Sequence, residues 1–150
     1  MAVQGCNHIV DAKRLSQDLQ AICSATINLF EPKTKQALFK EYLFLANAVL
    51  NGYGGLEHRD STALLCRRDQ IPQENILFEE SAYREFLGLC SHEYFHAWLV
   101  KRIQPKAFQP YETYLNETTH AYSGYLRASP ATTMTFSYYE ASELILKRIY

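Results

Sequence analysis

Apolar residues recur along this chain with two different periods, and the changes of period mark its elements. After Asp11, a residue type that caps helix N-termini, Leu15, Leu19, Ile22, Cys23 and Phe30 follow at helical spacing until Pro32. The spacing predicts a helix over residues 12–30. Glu41 to Leu50 (EYLFLANAVL) reads as a buried strand running into Asn51-Gly52-Tyr53-Gly54-Gly55, a glycine-rich turn. Ser61 to Cys66 reads as another strand, and the polar stretch Arg67 to Asn75, with Pro72 inside it, as loop. From Ser81 the pattern is helical again, through AYREFLGLCSHEYFHAWLVKRI, with no proline before Pro105 and a single tolerable glycine, Gly88. Residues 111–150 are rich in Tyr, Thr and Ser and show no firm period before the closing ASELILKRIY.

Composition narrows this picture without redirecting it. The 150 residues suffice for one domain with a real core, and 47% hydrophobic with 13% aromatic residues is a globular balance. A formal net charge of −1, well mixed along the chain, gives no electrostatic case for nucleic acid or an anionic membrane as partner. No stretch approaches the ~18 apolar residues of a membrane span. The opening MAVQGCNHIV lacks the basic segment and long apolar run of a signal peptide, so a soluble, cytoplasmic protein is expected. Cys6, Cys23, Cys66 and Cys90 form no C-x-x-C pair and sit among apolar neighbours, which suits buried, reduced thiols.

The chemistry lies in His92-Glu93-Tyr94-Phe95-His96, an H-E-x-x-H pattern inside the strongest predicted helix. Residues four apart on a helix share a face, so His92 and His96 can reach one metal ion. Zinc accepts two histidines and a carboxylate while keeping a position for water, whose pKa it lowers towards ~7. Glu93 is rotated to the side, where it can take a proton from that water and pass it to a leaving amine. Phe95 and Trp98 read as core packing. A second feature, Gly54-Gly55-Leu56-Glu57-His58, is by itself usually just a turn. Upstream of H-E-x-x-H it suits a strand edge along which a peptide backbone lies close, with Glu57 available to a free α-amine.

The runs YGGLEHRDSTALLCRRD and YREFLGLCSHEYFHAWLVKRIQPKAFQPY resemble the glycyl aminopeptidase family of gluzincin zinc peptidases, over residues 3 to 111. The resemblance implies an α+β fold built as a partial thermolysin-like catalytic domain, a mixed sheet from residues 41–66 beside helices 12–30 and 81–103. Full-length members of that family also carry an N-terminal β domain and often a C-terminal PDZ domain. It further implies that His92 and His96 bind Zn2+ and that Glu93 is the general base. Gly54, Gly55, Leu56, Glu57 and His58 would form the substrate-binding strand, with Glu57 near the N-terminus of a peptide substrate. The family removes N-terminal residues, preferring glycine and alanine.

The resemblance breaks at the third ligand. The family supplies a Glu in a segment resembling W-x-x-E-G-F-T-x-Y-Y, which this chain lacks; the nearest substitute is Glu117, within NETTHAYSGYL. Joining the third base of each codon to the first two of the next changes the tail. Met134-Thr135 then forces Asp, Tyr138-Tyr139 forces Leu, and the permitted string from Thr118 to Glu140 includes YTRLLWLFEGFTSYYDDLLLLR. The expected organisation is therefore a partial catalytic domain over 1–110 and a frameshifted tail over 111–150, in an internal fragment of a longer gene. Weak zinc binding and little turnover would follow. The alternatives are an intact site completed by Glu117, an inactive remnant, or a non-catalytic metal-binding protein.

Overall fold

The computed structural model describes residues 1–75 and 80–98. Their elements are β1 (Ala2–Gln4), α1 (Ala12–Phe30), β2 (Leu43–Val49), β3 (Gly54–Glu57), β4 (Ser61–Arg67), a 3₁₀ turn at Arg68–Gln70, and α2 (Glu80–Phe95). Helix α1 begins where its cap predicts: Asp11 Oδ1 accepts the Arg14 N–H at 2.9 Å, satisfying one of the free donors of the first turn. Leu15, Leu19, Ile22 and Thr26 form its buried stripe. Thr26 is tolerated there because its hydroxyl donates to the Ile22 carbonyl one turn back, at 2.9 Å.

The strands form one mixed sheet in the order β1-β2-β4-β3. β1 and β4 both run parallel to β2, and β3 returns antiparallel on β4, leaving β3 at the edge. The inner face carries Phe44, Ala46, Ala48, Leu64 and Cys66 into one core with Leu19 and Ile22 of α1 and Phe86, Leu87 and Cys90 of α2. Each fully buried Leu, Ile or Phe of this set contributes roughly 1.5–3 kcal/mol relative to exposure. Outward-facing positions make a second register, in which Ala2, Leu45, Ala63 and Leu56 stand in one row across all four strands.

Several expectations are corrected. The strand expected over 41–50 is narrower, and only alternate residues are buried, because the described helices cover one sheet face; Leu43 and Leu45 point to the other. Gly54 and Gly55 belong to β3 rather than to the turn, since β4 offers them a hydrogen-bonding partner. The polar segment 67–75 is loop beyond the 3₁₀ turn at Arg68–Gln70, as expected, but Gln70, Ile71 and Pro72 within it are buried. Gln70 pays no desolvation penalty alone, because its carbonyl accepts Arg67 N–H at 2.8 Å and its amide donates to Glu85 at 2.7 Å. β1 was not anticipated. It ends at Gly5, which holds a left-handed φ of +82° and lies so close to β2 that a Cβ would collide with the Ala48 carbonyl oxygen.

The helix expected over 81–103 is described from Glu80 and ends at Phe95. Ala97 and Trp98 then donate to Tyr94 and Phe95, three residues back, at 3.2 and 3.1 Å. The part of that expectation beyond residue 98 lies outside the described residues, as do Glu117 and the tail over 111–150. All four cysteines are free, with Cys66 and Cys90 buried as expected. None of the described helices is long and apolar enough to cross a membrane.

Candidate metal centre

The last turn of α2 brings the H-E-x-x-H residues against the sheet edge. Residues 82–94 of α2 bury most of their side chains, so the helix is clamped rather than laid on the surface. Behind it stands an aromatic wall. Trp98 stacks on Phe30 with ring centroids 5.5 Å apart, and its indole N–H donates to Glu31 Oε1 at 3.2 Å. Phe95 meets the same Phe30 edge-on at 5.1 Å, and Tyr94 packs edge-on against Tyr42 at 4.8 Å. Phe95 and Trp98 are thus packing residues, as expected, and the helix end they fix carries the polar ones.

His92 and His96 turn their rings together, with the two Nε2 atoms 3.2 Å apart. Two nitrogens bound to one tetrahedral zinc at ~2.0–2.1 Å each would lie about 3.3 Å apart. Glu57 of β3, Glu93 and His96 are all buried, and their donor atoms lie within 4.8 Å of one another. Glu57 Oε1 and Glu93 Oε2 are buried without a hydrogen-bond partner among the described residues. A buried carboxylate oxygen without a donor is costly, and a proton, a cation or an ammonium group relieves it. The donors that lie together are Glu57, Glu93 and His96, with the His92 ring against His96, and this set fits a divalent metal.

Burial, and secondarily the Glu57 charge, pushes the Glu93 carboxyl up to about 8. The approach of the two carboxylates is set by Gly55, where a Cβ would run into the Glu93 side chain, 2.6 Å from its Cγ. Gly55 and Glu57 face α2, whereas Leu56 projects onto the open sheet face and His58 sits exposed in the β3–β4 turn, its N–H donating to Ser61 at 2.7 Å. Of the residues singled out in the sequence, the structure gathers Gly55, Glu57, His92, Glu93 and His96; Leu56 and His58 stay apart from the cluster.

Sequence reasoning missed Tyr42. Its hydroxyl donates to the Glu93 backbone carbonyl at 3.4 Å. Burial, with the Glu93 charge adding to it, raises its phenol well above the ordinary value. A tyrosine at the head of an alternating apolar strand carries no signal of such a role.

A helix-borne histidine pair thus lies beside buried carboxylates, and the chain is similar to known peptidases. Residues 85–122 match the M61 glycyl aminopeptidase family, a span that holds the whole H-E-x-x-H segment. A crystal structure of an aminopeptidase N family protein from Idiomarina loihiensis is similar over 73% of this chain, at 46% identity and a TM-score of 0.63. The chain spans 18% of that protein's length. Among curated proteins nothing matches. This chain carries a fragment of the glycyl aminopeptidase family.

Proposed function

We propose that these residues are the zinc-binding part of an aminopeptidase-like metallopeptidase of the thermolysin-like, gluzincin type. The observation that carries the reading is the convergence of the His92 and His96 Nε2 atoms, 3.2 Å apart, beside two buried carboxylates. His92 and His96 would hold Zn2+. Zinc when bound acts as a Lewis acid on a substrate carbonyl and lowers the pKa of a water. Glu93 would take a water's proton on Oε2, which has no partner among the described residues, and would pass it to the departing amine. With a cation alongside, its carboxyl returns towards ordinary acidity and can act as a base near neutral pH.

The edge of β3, unpaired among the described residues, suits an extended peptide added as a further strand. Gly54 and Gly55 present no side chain to hinder that approach, and Glu57 would pair with the substrate's free α-amine. A glycyl or alanyl N-terminus fits this reading. The test is zinc content after dialysis against a mild chelator, with hydrolysis of an alanyl or glycyl chromogenic amide. One equivalent of zinc with turnover, both lost in His96→Ala, supports it; no zinc in the native chain sinks it.

The position of Glu57 within the metal-capable group favours a second reading, a closed site in which Glu57 itself binds the cation and no peptide is turned over. Glu57→Gln separates the two. An amine anchor raises KM and leaves zinc affinity intact, whereas a ligand loses zinc.

A further inference from the structure

In a regular α-helix the Ala97 N–H would bond the Glu93 carbonyl four residues back. Here that N–H donates to Tyr94 instead, and Trp98 follows suit with Phe95, so the backbone tightens from α to 3₁₀ beside His96. The tightening shifts the last backbone bonds from the fourth residue back to the third. It also strips the carbonyl of the buried Glu93 of its helical donor. The Tyr42 hydroxyl fills that place at 3.4 Å, reaching over from the residue just before β2.

The Tyr42 ring has little freedom to do anything else. Phe39, Phe44 and Tyr94 surround it with ring centroids 5.1, 5.0 and 4.8 Å away. We propose that Tyr42 is a positioning residue for the metal centre: its hydroxyl holds the Glu93 carbonyl and thereby fixes the helix end that carries His96 beside His92. The inference rests on the reading of His92 and His96 as metal ligands. Without the hydroxyl, the Glu93 carbonyl either stays unsatisfied or recaptures the Ala97 N–H. Either outcome moves the backbone on which His96 is carried, while the aromatic wall stays in place.

The test compares the full-length wild-type chain with Tyr42→Phe and Phe39→Leu. Zinc affinity is measured by competition with a chromophoric chelator, the visible spectrum is taken on the cobalt-substituted forms, and folding is followed by circular dichroism. Tyr42→Phe keeps the ring and should fold, but bind zinc about 10–100-fold more weakly, the range found for groups that orient metal ligands, with a shifted cobalt band. Phe39→Leu removes a ring neighbour and leaves the hydroxyl; it should unfold at lower temperature with zinc affinity near wild type. Equal affinity and spectrum in Tyr42→Phe overturn the role of Tyr42 and leave the metal reading standing. An equal loss in both variants reduces Tyr42 to packing. A wild-type chain that takes up no zinc removes the metal reading and this inference with it.

Discussion

Glu93 is the residue in which the energetic cost of the site is concentrated. Unfolded, its carboxyl ionises near the ordinary 4.5; folded and metal-free, it keeps its proton up to about 8. The folded chain thus binds more protons between those values, and stability must fall as pH rises from about 4.5 towards 8. Glu93→Gln removes that slope. In urea unfolding with a chelator present, the wild type should lose ground to the variant between pH 5 and pH 8.5, and a constant difference would refute the argument. Gly55 is the complementary case. Its substitution by alanine forces the Glu93 side chain to swing away, because that side chain occupies the space a Cβ needs. Because the Glu93 Cγ as well as its carboxyl end stands in that space, and the residue is buried, stability should fall too. Turnover of an alanyl amide should drop on the order of 10²-fold, the weight of a well-placed general base.

At the scale of elements, the sheet and helices are held by ordinary devices whose removal has ordinary costs. Asp11→Ala should lower stability by ~1 kcal/mol in denaturant unfolding, with the slope against denaturant unchanged. What the sequence revealed and what it hid follow from the reach of each signal. Asp11 and the Leu15-Leu19-Ile22 stripe announce α1 because cap and period are local, and His92 to His96 announce the site for the same reason. β1 has only Ala2, Val3 and Gln4, too few for a period, and exists because β2 offers its edge more than forty residues later. The burial of Gln70 was hidden because its partner Glu85 belongs to the next helix. Glu57 reaches Glu93 through the β3–β4 pairing, which no spacing reveals; only the family resemblance pointed to it. Tyr42 gave no signal at all.

Across the whole molecule, donors from β3 and from α2 meet in one place, so binding a cation there is linked to folding. Zinc held at 100 times its Kd should add about 2.7 kcal/mol to stability. The thermal midpoint should therefore climb with zinc, fall with a chelator, and become indifferent to both in His96→Ala. The thiols provide an independent gauge. Burial pushes Cys23 and Cys66 up to about 12 and raises Cys90 as well. Cys66 and Cys90 should therefore react with a thiol reagent only as fast as the chain opens, and labelling in the native state should slow when zinc is added. Labelling of Cys90 at the rate of an unfolded peptide would contradict its place in the core.

The strand order β1-β2-β4-β3 also has a consequence in time. A ribosome delivers β3 before β4, yet among the described residues β3 bonds only to β4. When Glu57 leaves the exit tunnel, the segment that carries it has nothing to pair with, and its place beside β2 is one it will never occupy. It joins the sheet only once Ser61–Arg67 has emerged behind it and folded back as its hairpin partner. This strand is thus bound to the order of synthesis: no part of β3 is in place before the strand that follows it.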